Sequence, residues 1–239
     1  MAPATVDYPA RTATPVSNHS EMPLSRRSWL IAALGVMLAM LTLSGLDPYD
    51  RLTWLMEVMP ILLAVPVLLA TSRRFPLTPL LYALLFMHAL ILMVGAAYTY
   101  ARVPLGFWLQ DAFELARNPY DKIGHFAQGF VPALVAREIL LRGHYVRTRR
   151  MLGFLVLCVV LAISASYELI EWLAAVFMGQ SADAFLGTQG DPWDTQSDMA
   201  FALVGAACAL LSLSRLHDRQ IRALDAVDEG PAPRRAAHG

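Results

Sequence analysis

The stretch "KIGHFAQGFVPALVAREILL", residues 122–141, decides how often this chain crosses a membrane. About 20 mostly apolar residues are needed to cross a bilayer core, and this segment has that length. It also carries His125, Gln128, Arg137 and Glu138, so hydropathy alone ranks it last of six candidate spans. The other five are 29–46, 52–72, 78–98, 151–177 and 199–215. Of the 239 residues, 56% are hydrophobic and 16% charged, with a mean hydropathy of +0.47. A soluble domain carries about 25% charged residues, and this composition is that of a multi-pass membrane protein.

The distribution of charge argues for counting 122–141. With six spans both tails share a side. That side then holds fifteen of the lysines and arginines, with Arg137, Arg142, Arg147, Arg149 and Arg150 around one connection. The other side holds four: Arg51, Arg102, Arg117 and Lys122. Cytoplasmic loops collect lysine and arginine, so both termini are expected in the cytoplasm. Removing the span scrambles the segregation. The expected fold is an all-α polytopic membrane helix bundle of about six transmembrane helices. Residues 28–216 form the transmembrane domain, and 1–27 and 217–239 are disordered cytoplasmic tails. The formal net charge is zero, and no nucleic-acid partner is expected. Cys158 and Cys208 lie inside apolar runs and read as packing residues. No cysteine or histidine pair has zinc-ligand spacing.

With this orientation three polar helix ends meet at the outer face. In "RNPYDKIGHF", 117–126, Asn118 suits an N-cap, Pro119 the first helical position and Asp121 the first turn. Asp121 and His125 are four apart and share a helical face. In "SYELIEW", 166–172, Glu168 and Glu171 share a face near the outer end of the fifth span. Ionisable groups at membrane depth are costly and usually pair or mark a site. The loop "LGTQGDPWDTQSDM", 186–199, repeats the first device: Asp191 as N-cap, Pro192 as first helical residue, then Asp194 and Asp198 on one face. Gly187 and Gly190 allow the loop a tight approach to the membrane surface.

Five carboxylates and a histidine at one level repel one another unless protons, a metal ion, or Arg117 and Lys122 compensate them. Oxygen ligands with one imidazole suit a divalent cation such as Mg, Mn or Zn, with Asp121, His125, Glu168, Asp194 and Asp198 as ligands. His125, Glu168, Asp194 and Asp198 are the candidates for acid–base chemistry. Arg117, Lys122, Asp121, Glu171, Gln189, Asp191 and Trp193 are candidates for substrate binding. The bland reading of the set is a hydrogen-bonded clasp between the last three spans. Glu57 and His88, within the second and third spans, each fit a proton relay or simple packing.

The segments "FPLTPLLYALLFMHALILMVGAAYTYARVPLG", "RNPYDKIGHFAQGF", "YELIEW" and "LGTQGDPWDTQSDMAFALVGA" resemble the YjdF family of bacterial inner-membrane proteins, a domain family of unknown function. The order D-K-x-x-H-F, then an acid on a membrane helix, then D-x-x-x-D, more distantly resembles the VanZ-like membrane proteins, part of which is associated with the cell envelope. The resemblance implies a six-span protein of the bacterial inner membrane. Three functions follow as expectations. One is chemistry or headgroup binding on a lipid or lipid-linked envelope substrate. The second is an ion- or proton-coupled transporter using Glu57, His88 and Glu168. The third is a structural protein whose polar cluster only clasps helices.

Overall fold

The structure is a computed structural model that describes residues 24–178 and 189–228. Gly187, residues 1–23 of the expected N-terminal tail and residues 229–239 of the expected C-terminal tail lie outside the described residues. Among the described residues seven α-helices follow one another: α1 Leu24–Leu46, α2 Arg51–Thr71, α3 Pro79–Tyr98, α4 Pro104–Ala112, α5 Tyr120–Arg142, α6 Arg149–Met178 and α7 Asp194–Asp228. Among the described residues there is no strand. Five helices are long and apolar enough to cross a membrane: α1, α2, α3, α6 and α7. α4 is short.

α5 fails that criterion although its 23 residues match the others in length. The reason is its position: α3, α6 and α7 pack around it. Arg137 and Glu138 are 2% and 0% exposed, so its polar groups meet other helices rather than lipid. A hydropathy window cannot distinguish a polar residue facing lipid from one facing a partner helix. The lipid-type surface is carried by outer helices, where Leu43, Leu63, Val67, Phe154, Leu169, Phe177 and Leu211 stand exposed.

α5 and α7 approach at backbone distance. A Cβ added to Gly129 would strike the carbonyl of Ala202, and one added to Gly205 would strike the carbonyl of Phe126. Ala133, Ala136, Ala206 and Ala209 continue the buried small-residue seam. Such seams let membrane helices gain dispersion contacts where no hydrophobic effect drives association. Met37, Ile61, Ala89, Leu92 and Met93 form the second core, joining α1, α2 and α3. Trp54 Nε1 donates to Ser44 Oγ at 3.1 Å across the α1–α2 connection. There Asp50 caps α2 by accepting from the Thr53 backbone N–H at 2.7 Å. That backbone bond lowers the Asp50 pKa. The sign follows: the cap's contribution is present above the ordinary carboxylate range and lost as pH falls through the lowered value. Asp50→Ala should therefore lower the melting temperature at neutral pH, at a cost of about 1 kcal/mol. The difference from wild type should shrink in acid.

The expected domain end at residue 216 falls inside α7, which runs on to Asp228. His217 is fully buried and Ile221 is 7% exposed, so the positions after 216 still present one face to the bundle. The residues there are polar because that face meets polar partners. His217 Nε2 lies 2.8 Å from Glu138 Oε2, and Arg137 binds Asp218 and His217 Nδ1. Glu138 also accepts from Thr78 N and Oγ and from Arg142, at 2.8–3.3 Å. Gln220 Oε1 accepts from Leu80 N at 2.9 Å. This clasp ties α3, α5 and α7 together at the end opposite the site described below. Cys158 and Cys208 correct the sequence reading: both are free thiols on exposed faces, not buried packing residues.

Candidate functional site

The site lies where the connections before α5 and α7 meet. The helix begins at Tyr120, so Pro119 and not the expected Asn118 is its N-cap residue; Asn118 Oδ1 still accepts from Tyr120 N at 3.0 Å from one position further out. Asn118 Nδ2 donates to Val103 O at 3.0 Å. Gly106 makes this fold-back available, because Asn118 occupies the space a Cβ there would need. α7 starts at Asp194, two residues later than expected. Asp191 still performs the capping-type contact, accepting from Trp193 N at 2.9 Å. Gln189 pairs reciprocally with the Asn118 backbone: Oε1 accepts from N at 3.1 Å, and Nε2 donates to O at 3.0 Å. This clip fixes one connection against the other. Trp193 stands apart, 68% exposed.

Above the bundle core the charges sort into two groups. In the first, Arg117 pairs with Asp191 at 2.8 Å and with Asp194 at 2.7 Å. Lys122 Nζ lies 2.8 Å from Asp194 Oδ1 and 2.5 Å from Asp198 Oδ1. Asp194 is therefore engaged by two cations, the compensation expected from Arg117 and Lys122. The second group lies deeper. His125 Nε2 faces Asp121 Oδ1 at 3.5 Å and Asp198 Oδ2 at 3.8 Å. His125 Nδ1 lies 2.9 Å from Gln128 Oε1 and 3.9 Å from Glu168 Oε1. One ligand atom each from Asp121, His125 and Asp198 falls within 4.8 Å of the others, a spacing that could hold a metal ion. Asp121, His125, Glu168, Glu171, Asp194 and Asp198 are all buried, so the structure brings the six sequence-predicted groups to one end. Asp198 belongs to both groups, one oxygen on Lys122 and the other toward His125.

A cavity of about 150 Å³ opens beneath His125 and Asp121. Its lining includes Glu57, His88, Tyr100, Gln128, Tyr167 and Glu171. Tyr167 donates to Glu57 Oε2 at 3.1 Å and packs edge-on to His125, ring centroids 6.3 Å apart. Sequence reasoning noted Glu57 and His88 but gave them no place in this site, and it passed over Gln128, Tyr100 and Tyr167 as members. Tyr167 precedes Glu168 in a quoted motif, and nothing local separates it from an interfacial aromatic. Asp121 Oδ2, Glu168 Oε1 and His88 Nε2 are buried atoms with no hydrogen-bond partner. At the opposite clasp, Glu138 and His217 have theirs.

An acid–imidazole site enclosed by helices, at one end of a bundle with an apolar exterior, defines a polytopic membrane protein. The chain belongs to the family described as predicted membrane protein (DUF2238), whose model matches residues 29–219. It is similar to the inner membrane protein YjdF of Escherichia coli (strain K12), with 65% identity over 183 residues that cover 77% of this chain and 88% of that relative. No solved structure matches. With its five apolar spanning-length helices, the chain is a multi-pass protein of the bacterial inner membrane.

Proposed function

We propose that the chain holds a divalent cation between Asp121, His125 and Asp198 at the outer face of the inner membrane. It uses the ion on the headgroup of a lipid or lipid-linked envelope substrate. One observation carries this reading. His125 Nδ1 lies 2.9 Å from Gln128 Oε1, so an N–H on Nδ1 would donate to that oxygen and leave Nε2 as the atom a metal would bind. Nε2 faces two carboxylate oxygens at 3.5 and 3.8 Å. Two carboxylates and an imidazole converge at separations longer than hydrogen bonds; Lys122, 2.5 Å from Asp198 and 3.7 Å from Asp121, compensates part of that charge on one side, and a divalent ion between the three would compensate the rest. Gln128 plays the part of the outer partner that orients metal-ligating histidines.

Asp121, His125 and Asp198 would be the ligands, a mixed oxygen and imidazole set suited to Mg, Mn or Zn. Bound there, the ion would polarise a headgroup oxygen or activate water. Glu168 is the group left to take or give a proton, with its Oε1 unpaired near His125 Nδ1. Arg117 and Lys122 hold Asp191, Asp194 and Asp198 in place, and Asp194 acts as a positioning residue rather than a ligand. The positive-inside distribution of lysine and arginine supports the outer placement.

The test is the metal content of purified protein by mass spectrometry, for wild type, Asp198→Asn and Asp194→Asn. The expected result is one divalent ion per chain in wild type, retained by Asp194→Asn and lost in a folded Asp198→Asn. Wild-type protein without metal, whose melting temperature ignores added Mg, Mn and Zn, would sink the reading. A second reading, an ion- or proton-coupled transporter, is favoured by Glu57 and His88 sharing a cavity with Asp121 and His125. It requires flux in proteoliposomes above that of empty vesicles. The closed pairing of Glu138, Arg137 and His217 at the opposite end argues against a continuous path.

A further inference from the structure

We propose that the cavity beneath His125 is a binding site for a small alkylammonium group. This goes beyond the metal site, which shares only Asp121 and His125 with it. Three carboxyl groups from three helices line the space: Glu57 of α2, Asp121 of α5 and Glu171 of α6. They lie close enough to act on one another electrostatically. No lysine or arginine lines the cavity. Asp121 is nine-tenths buried, and its Oδ2 accepts no hydrogen bond, with Lys122 Nζ 3.7 Å away. The enclosure therefore gathers carboxyl oxygens from three helices with no ammonium or guanidinium group in its walls.

The shape selects among cations. A bare metal ion bound at 2.0–2.6 Å from its ligands would leave most of 150 Å³ empty. An ammonium group offers three N–H donors, one for each carboxyl group. Tyr100 and Tyr167 also line the space, and aromatic rings attract organic cations. Pro60, Leu92 and Ile163 supply apolar wall for an alkyl portion. Tyr167 already donates to Glu57, which holds that carboxylate in position for a ligand. An ammonium group reaches such a cavity either on a free amine or on the headgroup of an amine-bearing lipid.

Thermal unfolding of the full chain in detergent, titrated with ethanolamine hydrochloride, tests the site. The expected result is a saturable rise in melting temperature that ethylene glycol, a neutral analogue, does not give. Glu57→Gln and Glu171→Gln should each weaken binding by roughly tenfold or more, as expected for loss of a charged hydrogen bond. Both substitutions remove buried repulsion, so the variants should be no less stable without ligand. Asp198→Asn, lacking the metal ligand, should still bind ethanolamine, so failure of the metal reading and failure of this one are distinguishable. In nanodiscs, protection by phosphatidylethanolamine but not phosphatidylglycerol would assign a lipid source, and protection by ethanolamine alone a free amine. Equal responses to ethanolamine and ethylene glycol, or unweakened binding in both glutamine variants, would overturn the proposal.

Discussion

Gly205→Val should abolish the native packing of α5 on α7 and leave little monodisperse protein in detergent. The side chain would meet the carbonyl of Phe126 and the amide nitrogen of Phe130, both backbone atoms of the facing helix. A flexible side chain can swing aside, whereas a helix backbone must move as a unit. Overpacking a tight core costs about 1–3 kcal/mol even when side chains can adjust. The cost here should lie at or above the top of that range, because separating the helices also loosens the Ala133, Ala202, Ala206 and Ala209 contacts. Gly129→Val, against the Ala202 carbonyl, should behave alike. Gly35→Ala and Gly153→Ala have open space at the new atom and should match wild type. An unchanged melting temperature in Gly205→Val would mean that α5 and α7 do not meet at this seam.

Glu138→Ala should be the most damaging single truncation at the opposite end. It leaves the Thr78 amide and hydroxyl, His217 and Arg142 without their common acceptor in a fully buried setting. Removing one partner of a buried ion pair costs about 3–5 kcal/mol, chiefly through the group left behind. Glu138→Gln keeps an acceptor oxygen and should fall between alanine and wild type. Melting temperatures in detergent check the order. Equal stability of Glu138→Ala and wild type would show the clasp to be dispensable. The contrast with Glu57→Gln, expected to be neutral or stabilising, separates a satisfied polar network from one that stores repulsion.

How much of this was legible in the sequence depended on the range of the signal. The turn contacts of Asn118 and Asp191, the shared face of Asp121 and His125 and that of Asp194 and Asp198 rest on neighbours within four residues and are legible locally, although both helices begin later than the caps read from sequence. The helix start of α5 is legible in its motif, but reading α5 as a sixth span rests on the segregation of arginines alone, because its hydropathy is lowered by residues that face other helices. Glu57 and His88 could not be joined to His125 from sequence. They are 68 and 37 positions away, with nothing local to link them. The residues after 216 read as a tail because "HDRQIRALD" is polar. Their partners, Arg137, Glu138 and Leu80 N, lie far along the chain, and only the i,i+4 spacing of His217 and Ile221 hinted at a buried face.

α7 is pinned to α5 twice, by Asp198 on Lys122 at one end and by His217 and Asp218 on Glu138 and Arg137 at the other. Asp198 and Asp218 stand 20 residues apart, roughly 30 Å along one rod. A one-turn slide of α7 past α5 would break both fastenings together and drive Gly205 off its partner. The pair thus resists shear as a unit, and any rearrangement that opens the acid–imidazole end must tilt the two rods about their glycine contact. A push on the far tip of α7 would then reach Asp198 as leverage.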